Sequence, residues 1–179
     1  MGAGMNASIL IQSGEYFHIL YPHLSKYTIK DIAHGLSNLC RFTGHVRSFY
    51  SVAQHSVLVS RLVPDHLAIQ GLMHDAAEAF LGDVASPLKQ LLPEYKVIEK
   101  RVEDDIADRF GLPRGMDPEV KRADLIALAT EKRDLMPVSE NWPVPVGYYG
   151  VQPDTLFITP WSPWSARRMF MARYKELTT

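Results

Sequence analysis

The chain has 179 residues, of which 46% are apolar and 22% are charged, a composition typical of one globular domain. The formal net charge of −1 excludes a strong electrostatic footprint for nucleic acid or an anionic membrane, although a small phosphorylated ligand needs only a few local cations. The single cysteine, Cys40, cannot form a disulfide within the chain, which favours the reducing cytoplasm. Since no run of about 18 apolar residues occurs, we expect no membrane span.

Six segments of the chain carry helix signals. Each begins with a capping residue or a proline and places apolar residues at helical spacing. The expected helices begin at Thr28, at Tyr50 or Ser51, at Asp65, at Pro93, at Asp117 and at Ser162, and they end near Leu39, Val63, Gly82, Phe110, Met136 and Leu177.

Two stretches of the chain lack a helical pattern. Residues 1–27 have no helical period and are expected to form short extended segments or loop. Residues 137–161 are rich in proline, which excludes a long regular element there. A short hairpin is compatible with either stretch. The sequence therefore predicts a compact all-α fold in a single domain over residues 1–179.

The adjacent pair His74 and Asp75 lies in the most apolar of the predicted helices. An unpaired carboxylate costs several kcal/mol to bury, so such a group is normally paired, hydrogen-bonded or bound to a metal. An imidazole nitrogen and a carboxylate oxygen together suit zinc, manganese, cobalt or iron. The dipeptide alone is weak evidence, because an ordinary core histidine is the commoner explanation.

Two further residues strengthen the hypothesis of a metal site. His55 lies in the second predicted helix and Asp124 in the fifth, both within apolar runs. An equally good interpretation makes Asp124 solvent-facing, on a helix face with Lys121, Arg122 and Glu131. Two imidazoles and two carboxylates on three helices would leave positions open for water and phosphate, as a catalytic metal requires. The predicted metal ligands are His55, His74, Asp75 and Asp124.

Four other residues have both a chemical and a structural interpretation. Glu78 lies one turn after His74 and could act on water, although glutamate is often merely solvated on a helix. Asp83 lies at the expected helix end, where a structural turn is the default. Arg41 and Lys89 would suit a phosphate, although a surface cation is the commoner explanation for each.

In this order, the His, the His-Asp pair and the later Asp resemble the HD-domain phosphohydrolase superfamily, in particular its 5′-deoxynucleotidases and phage dATP triphosphohydrolases. The similar region covers residues 28–135 and contains Arg-Phe at 41–42, Ala-Gln-His-Ser at 53–56, His-Asp-Ala-Ala-Glu-Ala-Phe-Leu-Gly-Asp at 74–83 and Ser-Pro-Leu-Lys at 86–89. The chain departs from the family pattern in having Gln54 where a glutamate is expected. The connection from His55 to His74 is also shorter than in the deoxynucleotidases.

The resemblance implies an HD-type bundle of about six helices, a homo-oligomer, and one divalent metal: zinc, cobalt or manganese, with magnesium as a further candidate. It places Glu78 and Asp83 near the attacking water as catalytic residues. The substrate-binding residues that it implies are Arg41, Phe42, Ser86 and Lys89. The implied reaction is hydrolysis of a deoxynucleotide 5′-phosphate, with dATP and lower deoxyadenosine phosphates first and a 5′-deoxynucleotidase of broader base range close behind.

Other classes of protein remain as alternatives. A cyclic-nucleotide or (p)ppGpp hydrolase is disfavoured by the small size of the chain and by the Gly-Asp end of the motif. A catalytically silent nucleotide sensor with the same fold is disfavoured because all four candidate ligands occur together with Glu78. A purely structural zinc site is disfavoured because such sites favour closed, cysteine-rich ligand sets.

Overall fold

Helices form most of the protein, whose structure, a computed structural model, describes residues 7–139 and 150–179. The described elements are β1 (Ser8–Leu10), β2 (Tyr16–His18), α1 (Ile29–Asn38), α2 (Val52–Leu62), α3 (Ala68–Met73), α4 (Glu78–Leu81), α5 (Ser86–Lys89), α6 (Pro93–Phe110), α7 (Pro118–Leu135) and α8 (Pro163–Thr178). The two strands pair as an antiparallel hairpin with Ile9 opposite Phe17. The predicted all-α class is confirmed, and the hairpin lies in the first irregular stretch.

Side-chain caps explain where four of the helices begin. In each case a side-chain oxygen accepts a hydrogen bond from a backbone N–H in the first turn, which would otherwise have no partner within the helix. The four predicted capping residues that do this are Thr28, Ser51, Asp117 and Ser162. Thr28 also forms the predicted capping box with Asp31. The starts of α1, α2, α7 and α8 are therefore confirmed.

The third predicted helix is wrong as one continuous α-helix. Asp65 opens a separate 3-10 turn, Asp65–Leu67, and does not cap α3. Between α3 and α4 the chain continues to turn, but its hydrogen bonds span three residues: Ala76 N–H donates to Met73 O at 3.0 Å, and Glu78 N–H donates to Asp75 O at 3.0 Å. This tighter 3-10 winding falls on the His-Asp pair. Apolar periodicity does not distinguish it from α-helix over a single turn.

The short helix α5 and the proline-rich stretch 137–161 are the two other regions in which the structure can be compared with the predicted elements. The short helix α5 was not predicted, because its four residues are too few to show a helical period. Residues 137–139 and 150–161 contain neither helix nor strand, as the prolines indicate. The remainder of that stretch, 140–149, and residues 1–6 lie outside the described residues.

The helix α2 is central to the packing and contacts α1, α3, α7 and α8. Its residues Val52–Val57 are all buried. The main core combines buried apolar side chains of the hairpin and of several helices, including Phe17, Ile32, Leu36, Leu72, Val102 and Phe170. A smaller core joins α2 to α7. None of the described helices combines the length and apolar character needed to cross a bilayer.

Gly35 allows α1 to approach the segment that carries the His-Asp pair. A Cβ atom at this position would lie 2.7 Å from the backbone oxygen of Ala79 and 2.9 Å from its Cβ. Both distances are shorter than van der Waals contact, so α1 and α4 pack this closely only because residue 35 has no side chain.

Gly35→Ala is expected to lower the free energy of unfolding by about 1–3 kcal/mol, because overpacking outweighs the helix propensity of alanine. Chemical denaturation measures this change. Gly71→Ala is the matched comparison. Its new Cβ would meet a side-chain methyl of Val63 at 3.1 Å and the backbone Cα of Ser60 at 3.2 Å, both farther than the atoms of Ala79 are at Gly35, so it should cost less. Equal stability of Gly35→Ala and wild type would contradict the close contact.

Candidate metal centre

Two histidines from different parts of the fold direct their Nε2 atoms at one point. His55 lies in the middle of α2 and His74 directly follows α3, and their Nε2 atoms are 3.2 Å apart. The Nδ1 atom of His55 is 2.6 Å from Glu131 Oε1, and that of His74 is 2.8 Å from Gly71 O. These oxygens only accept hydrogen bonds, so in the neutral rings both Nδ1 atoms donate. Both Nε2 lone pairs therefore face the shared point.

Two aspartates complete this cluster. Asp75 Oδ2 lies 3.1 Å from His74 Nε2 and 3.4 Å from His55 Nε2. Asp124 Oδ1 lies 3.3 Å from His55 Nε2. The ligand atoms of His55, His74 and Asp124 all lie within 4.8 Å of one another, and the fourth predicted ligand, Asp75, lies beside both imidazoles. The imidazoles are almost fully buried, whereas the aspartate side chains are about one-fifth exposed, so the cluster opens to solvent on its carboxylate side.

The chemistry of the cluster fits a divalent cation. Two nitrogen lone pairs and two carboxylates within these distances repel one another unless a positive charge lies between them. Burial and Arg41 lower the pKa of His55, but Glu131 and Asp124 outweigh them and raise it to about 9. Because a metal binds the neutral imidazole, metal and proton are expected to compete for His55 Nε2.

The aspartates are held in the ionised form that a metal ligand needs. Burial alone would raise the pKa of Asp75, but the two histidines beside it outweigh burial and lower it. Burial has the same effect on Asp124, and His55, His74 and Lys121 together hold its pKa well below the ordinary value. Both side chains therefore present acceptor oxygens to the cluster.

Glu131 is a member of the site that the sequence analysis missed. Its side chain is fully buried, so the interpretation that placed it on a solvent-facing side of α7 with Asp124 is wrong. One carboxylate oxygen contacts His55, and the other accepts from Arg41 Nη2 at 2.9 Å. Asp124 and Glu131 are seven residues or two helical turns apart and so share one face. The signal was that a ligand role for Asp124 turns this shared face, and Glu131 with it, towards the site.

Arg41 lies beside the cluster and is largely buried. Its Nη1 is 3.7 Å from Asp75 Oδ2, and its Nε has no hydrogen-bond partner among the described residues. Phe42, whose ring lies 5.3 Å from the guanidinium carbon, and Thr43 have φ angles of 56° and 55°. This left-handed conformation is costly for residues other than glycine, and such strain concentrates at functional sites.

Glu78 is the second buried group near the cluster with an unused polar atom. Its Oε2 has no hydrogen-bond partner among the described residues. Burial, Asp75 and Asp83 raise its pKa well above the ordinary value, while Arg41 and Lys89 partly oppose them. Burial and Asp75 raise the pKa of Asp83 as well. A buried carboxyl oxygen without a partner is normally satisfied by water or by a ligand.

Only some of the predicted substrate-binding residues lie near the histidine and aspartate cluster. Lys89 lies near Glu78 and Asp83, where its charge opposes in part the rise of their pKa values by burial and by neighbouring carboxylates. Its ammonium, however, is bound to Glu99 Oε1 at 2.6 Å. Ser86 is exposed at the start of α5, and no described contact links its side chain to the cluster. The binding roles of Phe42, Ser86 and Lys89 therefore remain predictions.

Gln54, where the sequence departs from the HD pattern, connects the site to the C-terminal region. Its amide NH2 donates to Thr159 O at 2.8 Å, and its amide oxygen accepts from Trp161 N–H at 2.8 Å. A glutamate could accept from Trp161 but could not donate to Thr159. Through these two hydrogen bonds, the residue before His55 is held against the segment that leads into α8.

The fold and the cluster define an all-α protein with a buried centre of histidine and carboxylate groups. No family model matches the chain. It is 46% identical over 168 residues to "Uncharacterized protein YfdR" of Escherichia coli (strain K12), a match that covers 93% of each chain. It is 32% identical over 142 residues to "Uncharacterized protein RCAP_rcc00048" of Rhodobacter capsulatus, a match that covers 72% of each chain. The chain belongs to the family of these two proteins.

Proposed function

We propose that this protein is a metal-dependent phosphohydrolase of the HD type that cleaves the 5′-phosphate ester of deoxynucleotides. The observation that carries the proposal is the convergence of His55, His74 and Asp124, whose ligand atoms all lie within 4.8 Å of one another, with Asp75 beside both imidazoles on the side that opens to solvent. This mixed set of ligands suits an ion with open positions better than a closed structural site. A divalent ion bound there would activate a water and polarise a phosphate oxygen.

Residues of the chain itself would bind the phosphate and move the proton. Arg41 has an unpaired Nε donor beside the cluster, and its planar guanidinium suits a phosphate oxygen that gains charge in the transition state. Glu78 has an unpaired carboxyl oxygen and keeps its proton to higher pH than an exposed glutamate. It therefore suits proton exchange with the attacking water or with the departing 5′-oxygen.

The charges near the cluster favour a monophosphate over a triphosphate. Arg41 is already paired with Glu131, and Lys89 is paired with Glu99. Arg47, an exposed residue six positions after Arg41, remains a candidate contact for the outer phosphates of a triphosphate. We place a 5′-deoxynucleotidase before the dATP triphosphohydrolase that the resemblance put first, because the two cations nearest the cluster are already paired. The triphosphohydrolase remains the second candidate, because the same attack at the phosphorus next to the sugar would serve it.

The products of hydrolysis test this proposal. Because the attack is at the phosphorus next to the sugar, dAMP should yield deoxyadenosine and orthophosphate. Any turnover of dATP should yield deoxyadenosine and intact triphosphate by the same route. Chromatography of the products with manganese, cobalt, zinc and magnesium measures both. Pyrophosphate, or stepwise release of orthophosphate from dATP, would contradict the proposed point of attack.

The same experiment distinguishes the two substrates from a protein without activity. Faster turnover of dAMP supports the 5′-deoxynucleotidase, and faster turnover of dATP supports the triphosphohydrolase. Absence of turnover with every metal, together with measurable nucleotide binding by calorimetry, would favour the catalytically silent nucleotide sensor.

We also propose that the protein works in the cytoplasm as a homo-oligomer. The single cysteine, Cys40, suits a reducing compartment, and the resemblance to the deoxynucleotidases implies association of subunits. Fractionation of cells and light scattering of the purified protein test these two points separately.

A further inference from the structure

We propose that Glu131 is a positioning residue that holds the metal ligand His55 and the phosphate contact Arg41 together. The inference rests on the proposed function and adds to it a link between metal binding and phosphate binding. Glu131 is fully buried, and its two oxygens have separate partners. Its Oε1 lies 2.6 Å from His55 Nδ1 and its Oε2 lies 2.9 Å from Arg41 Nη2.

A carboxylate is the group that fits this position, because His55 and Arg41 both donate hydrogen bonds to it. The buried hydroxyl of Tyr50, whose pKa is raised by burial and by Glu131, is a third neighbour that can donate but gives no positive charge. A glutamine side chain has one acceptor oxygen and an NH2 group that only donates. Since the guanidinium of Arg41 is always charged and cannot accept, the amide in Glu131→Gln would turn its oxygen towards Arg41. Its NH2 would then face His55.

This orientation of the amide would place a hydrogen on the wrong nitrogen of His55. Facing an NH2 donor, Nδ1 must accept, and the neutral ring then has its hydrogen on Nε2. That atom faces His74 and the two aspartates, where a metal needs a lone pair. Metal affinity is therefore expected to fall about 10- to 100-fold although no ligand is replaced.

Four variants test this mechanism by titration of zinc or cobalt in the absence of any nucleotide: wild type, Glu131→Gln, Arg41→Met, and the double variant. With Arg41 removed, the amide is free to turn its oxygen towards His55. Glu131→Gln should therefore lower the metal affinity strongly when Arg41 is present and only slightly in the Arg41→Met background. A general loss of packing would lower the metal affinity equally in both backgrounds.

Phosphate affinity provides the second measurement. Binding of inorganic phosphate to the metal-saturated protein should be weaker in Glu131→Gln than in wild type, because the hydrogen bond from Arg41 to a neutral amide oxygen orients the guanidinium less firmly than the charge-assisted bond to the carboxylate. Glu119→Gln, an exposed residue in the first turn of the same helix, is the matched control and should bind metal and phosphate like wild type. Circular dichroism of each variant confirms that it is folded.

The outcomes separate this inference from the proposed function. Equal metal affinity in wild type and Glu131→Gln, or an equal fall with and without Arg41, would overturn the role of Glu131. Metal binding without hydrolysis of any nucleotide would contradict the proposed function and leave the link through Glu131 standing. A wild-type chain that binds none of the metals would contradict both.

Discussion

Asp124→Asn is expected to remove the bound metal and nearly all hydrolysis, and Asp75→Asn should do the same. Each substitution replaces a charged oxygen ligand by a neutral amide in a cluster that repels itself without a cation. Asp124 is also bound by Lys121 Nζ at 2.8 Å, so the amide would leave this ammonium without its negative partner. Metal analysis of the purified variants measures occupancy, and product assays measure the rate.

Thermal unfolding provides an independent measurement of the same prediction. A ligand present at about 100 times its Kd stabilises the folded state by about 2.7 kcal/mol, so added zinc or cobalt should raise the Tm of wild type. The two aspartate variants should show no such rise. Asp108→Asn is the control, because Asp108 is an exposed residue of α6 that is paired only with Arg114 among the described residues; the rise of the variant's Tm on addition of metal should equal that of wild type. Full metal occupancy in either aspartate variant would show that the ligand assignment is wrong.

Glu78→Gln is expected to keep the metal and lose about 10²- to 10⁴-fold in kcat, the usual contribution of a general acid or base. The amide has nearly the shape of the protonated carboxyl group but cannot exchange a proton at neutral pH. Glu78 pairs with neither histidine among the described ion pairs, so metal occupancy should not change. Parallel measurements of metal content and kcat separate a proton-transfer role from a ligand role.

The control for this prediction is Glu94→Gln, since Glu94 is an exposed glutamate in the first turn of α6. It should leave both metal content and kcat unchanged. If Glu78→Gln had an unchanged kcat, Glu78 would be a buried helix residue without a part in proton transfer. Loss of the metal in the same variant would instead assign it a structural role at the site.

Local signals predicted those parts of the fold that depend on a few consecutive residues. The caps at Thr28, Ser51, Asp117 and Ser162 act within one turn, and each marks a helix start in the structure. The 3-10 winding after α3 was not predictable in this way. Its cause lies in tertiary packing, which selects between two local geometries that a short apolar pattern fits equally well.

The same distinction between local signals and tertiary packing applies to the residues of the candidate site. His55, His74, Asp75 and Asp124 were predicted as ligands because polar groups in apolar helices need partners, and the structure places their side chains next to one another. Glu131 was missed because its partners, His55 and Arg41, are 76 and 90 residues away in the sequence. Glutamate is also common on exposed helix faces, so the residue by itself carried no signal of burial. Its place on the inner face of α7 is decided by packing against α2.

The hydrogen bonds of Gln54 to residues 159 and 161 bear on the order in which the protein matures during synthesis. The helix α2 contains His55 and packs against α8 as well as against other helices. Gln54 of the same helix is hydrogen-bonded to the segment that leads into α8. Residues 159 and 161 follow Gln54 by 105 and 107 positions, so on the ribosome α2 emerges long before these partners do. Binding of a metal at the proposed centre is therefore expected to follow synthesis of α8.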